Sequence, residues 1–145
     1  MISCKLDVRS VEPTEALSYH RHMAFTFSFE ICGPIVLVTI EGRMDQNGAL
    51  AVLESFTSDP SFRPEFGICY DVRMNHYFPP YPEVMSFYQE YSRRFHRRIK
   101  GKVAIIVSSN VQFGIARMAT TILSSILPQM DIFRSKEEGL RWLRS

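Results

Sequence analysis

Residues 23–42 read MAFTFSFEICGPIVLVTIEG and hold two patterns in succession. Phe25, Phe27, Phe29 and Ile31 alternate with Thr26, Ser28 and Glu30, the period of two that marks a half-buried strand. Gly33-Pro34 interrupts, and Ile35–Ile40 follows as an unbroken apolar run ending at Glu41-Gly42. Together they predict a hairpin whose second strand is covered on both faces, as in the middle of a sheet.

Strand and helix signals alternate from there on. Asp45 is placed to cap a helix whose apolar stripe is Ala49, Val52, Leu53 and Phe56. Phe66–Val72 (FGICYDV) reads as the third strand. Pro82 suits the first turn of a helix striped by Val84, Phe87, Tyr88, Tyr91, Phe95 and Ile99, which Gly101 ends. Val103–Val107 (VAIIV) is a buried fourth strand. Gln112–Leu127 is a helix with core positions Ile115, Met118, Ala119, Ile122 and Ile126, stopped by Pro128. Asp131–Arg134 makes a short edge strand, and Ser135 with Glu138 forms a capping box that opens a last helix carrying Leu140, Trp142 and Leu143. The expected fold is α/β: a mixed five-stranded sheet, an N-terminal hairpin followed by β-α alternation, with about four helices packed on it. Residues 1–22, broken by Pro13, read as an N-terminal tail or peripheral segment before a single domain spanning 23–145.

The chain has 145 residues and a mass of 16.8 kDa, enough for one self-supporting core. Hydrophobic residues are 46% and charged residues 22%, which excludes a disordered or fibrous chain. A net charge of +2 gives no reason by itself to expect nucleic acid as a partner. The three cysteines, Cys4, Cys32 and Cys69, are odd in number and form no CxxC pair, which argues against a disulfide framework and for a reducing cytoplasm. The first twenty residues lack the apolar core of a signal peptide, and no apolar run approaches the roughly 18 residues of a membrane span.

The element order, the aspartate of CYDVR (Cys69–Arg73), the run VAIIVSS (Val103–Ser109) and the ending DIFRSKEEGLRWL (Asp131–Leu143) resemble the STAS-type fold of anti-sigma factor antagonists. The likeness extends from about Met23 to Leu143 and is narrowest with small bacterial stand-alone domains of that kind. It implies a regulatory protein-interaction module. In anti-sigma antagonists the strand-ending aspartate is followed by a phosphorylatable serine. Here Asp71 is followed by Val72, Arg73, Met74, Asn75 and His76, so the phospho-switch does not carry over.

In an open α/β sheet, ligands gather beyond the carboxyl ends of the parallel strands. Arg43–Asp45, Asp71–His76 and Ser108–Asn110 are expected to converge there. The surface to be tested is accordingly Asp71, Arg73, His76, Tyr77, Phe78 and Tyr81, with Ser108 and Asn110 beside it. Turn and cap chemistry explains the same residues, with Asp45 and Ser109 or Asn110 starting helices and Asp71 bonding loop amides. The loop His76–Tyr81 sets three aromatics among prolines, a composition suited to a binding surface or to a lid over the core.

Catalysis has weak support. Ser108, His76 and Asp71 compose a hydrolase triad only on paper, without a GxSxG elbow. No phosphate-binding glycine loop is present, and neither His20-Arg21-His22 nor His96 has metal-ligand spacing, so no cofactor or metal is expected. Arg93, Arg94, Arg97 and Arg98, with Lys100 and Lys102, make a basic helix face suited to anionic lipid, nucleic acid or an acidic protein, or simply to the helix dipole. Between Val111 and Met130 the only charged side chain is Arg117. A helix so poor in charge requires cover, from the last helix with Trp142, from a second copy in a homodimer, or from an apolar, lipid-like ligand held against the sheet.

Overall fold

Gly33, at φ +59°, makes the turn that brings the first two long strands together. The computed structural model describes residues 9–11, 25–127 and 129–145, the first three as backbone. Strand β1 is Arg9–Val11, β2 Phe25–Cys32 and β3 Ile35–Gly42; β1 and β3 both pair antiparallel with β2. After α1 (Gln46–Thr57) come β4 (Gly67–Asn75), α2 (Tyr81–Arg94), β5 (Val103–Ile106), α3 (Asn110–Leu123), β6 (Met130–Phe133) and α4 (Lys136–Leu143). Strands β3 to β6 are parallel neighbours, and the sheet runs β1-β2-β3-β4-β5-β6. The expected hairpin, parallel run and four helices are all present. Strand β1 adds a sixth strand at the edge, from within the stretch read as a tail or peripheral segment. Cys4, His20 and His22 lie outside the described residues.

That strand order dictates the layers. Each crossover from β3 to β6 steps one strand in the same direction, so right-handed connections put α1, α2 and α3 on one face. They pack side by side, α1 on α2 and α2 on α3, while α4 returns beneath β4, β5 and β6 on the opposite face. The strands divide accordingly. Phe29, Val36, Val38, Ile40, Ile68 and Val103 are buried with Phe56 of α1 and Tyr91 of α2 in the larger core. Phe56 meets the rings of Phe29, Phe62 and Tyr70 edge-on. Full burial of each large side chain stabilises by about 1.5–3 kcal/mol. On the other face Ala104 and Ile106 lie under Gly139 of α4, and Phe133 stacks obliquely on Trp142.

Three boundaries differ from the sequence expectation. Strand β4 runs on to Asn75, so Asp71 lies within it and not at its end. Helix α2 stops at Arg94 with Phe95 as its C-cap; Phe95 and Ile99 are still buried because the chain turns inward, anchored by Lys100 N donating to Pro64 O. Helix α3 ends at Leu123, and a turn carries Ile126 and Leu127 inward; Pro128 lies outside the described residues.

The extension of β4 contains a bulge. Thr39 pairs with Asp71 and Glu41 with Met74, so Val72 and Arg73 together oppose Ile40. The extra residue resets the alternation of side chains. Met74 turns to solvent, and Asn75 turns toward the helix layer.

The glycines give a test of opposite signs. A methyl group on Gly101 collides with the carbonyl oxygens of Glu65 and Phe66, which are backbone and cannot step aside, whereas Gly114 of α3 faces open space. Gly101→Ala is expected to destabilise by about 1–3 kcal/mol. Gly114→Ala is expected to stabilise by about 0.5–1 kcal/mol. Urea denaturation midpoints that move in the same direction for both would contradict this packing.

Candidate functional site

The carboxyl edge of the sheet is built by three turns. Asp45 caps α1 by accepting from Gly48 N at 2.9 Å, and Ser109 caps α3 by accepting from Gln112 N at 3.1 Å. Gln112 holds the edge together. Its Nε2 donates to the carbonyls of Val72 (3.1 Å), Arg73 (3.2 Å) and Asn75 (3.1 Å), and its Oε1 accepts from Ser108 N at 2.8 Å. A buried side-chain amide therefore satisfies the carbonyls that the bulge frees. Asn75 Oδ1 accepts from Met44 N at 2.9 Å and ties the β3–α1 turn to β4.

The residues singled out in the sequence fall into separate groups. Asp71 and Arg73 lie on the α4 side of the sheet as a two-pronged ion pair, Nη2 to Oδ2 at 2.7 Å and Nε to Oδ1 at 2.9 Å. Burial pushes the Asp71 carboxyl up, but the side-chain and backbone hydrogen bonds from Arg73 outweigh it and hold the group below its ordinary range. His76 is exposed, and its backbone N donates to Gly42 O. Ser108 Oγ contacts Gln112 Oε1 at 3.2 Å and Arg73 O at 3.4 Å. Among the described residues no hydrogen bond joins His76 to Ser108 or Asp71. Asn110 accepts from Arg134 at 2.9 Å, toward β6.

Tyr77 belongs to a second group. Its hydroxyl donates to Glu83 Oε1 at 2.5 Å, while Glu83 Oε2 accepts from Gln46 N at 3.0 Å. That bond to Glu83, with burial, pushes the Tyr77 phenol up to about 12. Gln46 Nε2 also donates to Ser86 Oγ at 2.9 Å, so the starts of α1 and α2 are strapped together. Phe78 and Tyr81 stand 44% and 57% exposed, Met74 53% and Val111 57%. These exposed apolar side chains all lie along the carboxyl edge.

The basic face is less bare than its sequence. Glu54 of α1 pairs with both Arg98 and Arg94, and Glu90 with Arg93 at 2.8 Å. Arg94 and Arg98 also lie over the Phe95 ring at 5.1 and 5.3 Å. The Arg98 hydrogen bond is the main reason the Glu54 carboxyl lies below its ordinary range. Lys102 Nζ donates to the carbonyls of Trp142 and Ser145. Cys69 is a free thiol that burial raises to about 11. The described residues contain no cluster of three His, Cys, Asp or Glu side chains placed to hold a metal, and no helix long and apolar enough to cross a membrane.

Between the sheet and the α1–α2–α3 layer lies an apolar cavity in two lobes. The first, about 210 Å³, opens at the carboxyl edge beside Tyr77, Phe78 and Pro79 and is floored by Val72 and Ile105. The second, about 160 Å³, continues beneath α2 and α3 past Tyr70, Tyr91, Ile99, Leu123 and Met130. Met44, Ala49, Val72, Phe87, Ile105 and Ala119 line both. The polar groups at the mouth are already engaged: Asp45 in its cap, Glu83 with Tyr77 and Gln46, Gln112 and Asn75 with backbone. Sequence reasoning missed Gln112, Asn75 and Glu83, and it read Tyr91 only as core. The one signal for the cavity was Ala49 and Ala119 in core stripes, where short side chains leave room.

No family model matches the chain, and no curated protein matches it either. Among solved structures it is similar to the crystal structure of an uncharacterised protein of the DUF3478 family with a SpoIIAA-like fold, from Shewanella loihica. The TM-score is 0.54 at 17% identity, and the match covers 83% of this chain and 94% of that one. The fold is therefore SpoIIAA-like, the STAS-type architecture expected from the sequence.

The Asp71–Arg73 pair sets a pH dependence. Because the folded carboxyl lies below its unfolded value, the pair stabilises above that value, and the contribution is lost as pH falls through the folded one. Arg73 is partly exposed, so Asp71→Asn is expected to cost below about 1 kcal/mol at pH 7. The difference from wild type is expected to shrink toward zero as the pH falls through the lowered value of the folded carboxyl. A gap in urea midpoint that stays constant from neutral to acid pH would show that the pair carries no such linkage.

Proposed function

We propose that this chain is a non-enzymatic binding module of SpoIIAA-like fold that takes an apolar small molecule between its sheet and α3. The observation that carries this reading is the two-lobed cavity, which is lined almost wholly by carbon and open at the strand ends where α/β sheets place their ligands. Each lobe is of the order of the ~150 Å³ engineered cavity that accepts benzene. A molecule filling both has the bulk of about two fused rings or a short lipid chain. Neutral, water-averse molecules fit, because the polar atoms at the mouth are already spoken for. A non-enzymatic role is supported by the engagement of the candidate catalytic groups, Asp71 with Arg73 and Ser108 with Gln112. The cytoplasm, read from the sequence, belongs to the same proposal.

A second reading has its own observation. Met74, Phe78, Tyr81 and Val111 offer apolar side chains to solvent along one edge, beside the cavity mouth. Such a rim suits a protein partner, regulatory in the STAS manner, or a second copy of this chain in a homodimer. Nucleic acid has less support, since Glu54 and Glu90 engage three of the four arginines of the basic face.

The test uses N-phenyl-1-naphthylamine, a neutral fluorophore of suitable bulk, with native mass spectrometry of the intact chain. Saturable one-to-one binding with enhanced, blue-shifted emission is expected. Ala119 lines both lobes, so Ala119→Leu is expected to abolish binding while raising the melting temperature of the free protein. Absence of saturable binding by the wild type, or undiminished binding by Ala119→Leu, overturns the ligand reading. A dimer that carries no small molecule would favour the rim instead.

A further inference from the structure

We infer that the two lobes form one narrow tunnel for a single unbranched hydrocarbon chain, taken in tail first with its uncharged head left at the mouth. This rests on the ligand reading above and decides the shape of the ligand.

The lobes follow one another along the strands. On α3 the order is Gln112 and Ala116 in the first lobe, Ala119 in both, and Leu123 in the second. On α2 the same order is Val84, Phe87 and Tyr91, and on α1 it is Gln46, Ala49 and Val52. Each helix therefore gives its early turns to the outer lobe and its later turns to the inner one. The sheet agrees. The outer lobe reaches Asn75, the last residue of β4. The inner lobe reaches Val103 and Met130, the first residues of β5 and β6 and partners in register. Val103 also pairs with Ile68, near the start of β4. From the level of Ile68 to Asn75 is about 20 Å at roughly 3.3 Å per strand residue. Gln112 to Leu123 covers about 16 Å of helix.

Length and volume together set the width. Lobes of about 210 and 160 Å³ spread over that length leave a cross-section on the order of 20 Å². A methylene chain passes through such a section, as does a flat ring edge-on, whereas a cage of equal carbon count does not. At ~150 Å³ for the six carbons of benzene, the two lobes hold roughly a dozen carbons. The inner end is walled by Ile99, Val103 and Leu127, all buried, with Met130 beside them. No charged side chain lines the inner lobe, and the only ones lining the outer lobe are Asp45 and Glu83, both acids and both engaged. A carboxylate head would find no cation along the tunnel, and a charge drawn in without a partner is costly. An uncharged head that stays in water at the mouth carries no such cost.

The experiment uses 1-alkanols of six to sixteen carbons, and 1-adamantanol, as competitors that displace N-phenyl-1-naphthylamine from the full chain, with native mass spectrometry to count bound molecules. One alkanol per chain is expected, with affinity rising about fourfold for each added methylene and ceasing to rise near 1-dodecanol. 1-Decanol and 1-adamantanol have the same number of carbons. After division by their octanol–water partition coefficients, the straight chain is expected to bind at least tenfold more tightly than the cage. Met130→Ala clears room at the inner end and is expected to move the break in the series about two carbons further. Equal corrected affinity for 1-decanol and 1-adamantanol overturns this inference and leaves the ligand reading intact. So does an affinity that climbs unbroken to 1-hexadecanol, or a break that folded Met130→Ala leaves in place. If Met130→Ala does not fold, the wild-type series and the cage decide by themselves. Failure of the fluorophore and of every alkanol to bind overturns the ligand reading and this inference with it.

Discussion

The sequential parallel order of β3 to β6 is the constraint on which the remaining features depend. Chirality allows each crossover one hand, and three crossovers stepping the same way must put three helices on one face. A sheet with its helices divided evenly would have two thin cores. Among the described elements, one face receives α1, α2 and α3 and buries most of the large side chains, while the other receives α4. The helix layer is anchored at its α1 side by Phe56 and at its α2 side by Phe95, both fully buried. Between these anchors the helix positions lining the space include Ala49 and, on α3, Ala116 and Ala119. Short side chains beneath helices held away by longer ones leave a gap, and the two-lobed cavity is that gap.

The bulge in β4 links this architecture to the site. Without it, the alternation that aims Val72 at the helix layer would also aim Met74 there and turn Asn75 away. With it, Met74 joins the exposed apolar rim and Asn75 reaches the β3–α1 turn. The same irregularity frees carbonyls that Gln112 collects from the first turn of α3. One extra residue therefore sets both the composition of the rim and the attachment of α3 beside the cavity mouth. Asp71, before the bulge, keeps to the α4 side of the sheet. Arg73, within it, folds back onto Asp71.

What was legible in the sequence was what local chemistry fixes. Phe25, Phe27 and Phe29 alternate because one face of β2 is buried, and the capping residues Asp45, Ser109 and Ser135 accept from the backbone amides their spacing implied. Cross-chain pairings were not legible. Arg94, at the end of α2, and Arg98, beyond it, look unopposed along the chain, because the Glu54 that pairs with them is on α1 and forty residues or more away in sequence. The reach of β4 beyond Asp71 depends on register with β3, which no run of β4 residues encodes alone. The proposed site suffered most. A stripe of apolar residues reports that a face is covered, but not whether the cover fits. The convergence of loops at the strand ends was foreseeable from topology. That Asp71 would be engaged by Arg73 on the far side of the sheet from Tyr77 and Phe78, and Ser108 by Gln112 of α3, was not.

An apolar cavity weighs against stability. At about 24 cal/mol per Å³, a closed void of the size of either lobe would cost on the order of 4–5 kcal/mol, a large part of the margin by which a domain this small stays folded. Opening to solvent at the edge lessens that cost without removing it, since water gains little from walls that offer it few partners. Single substitutions such as a larger residue at position 119 lie within easy reach and would close the space. That cost has an explanation if it is offset when a molecule binds, since any ligand of the folded state returns stability in proportion to the logarithm of its concentration over its dissociation constant.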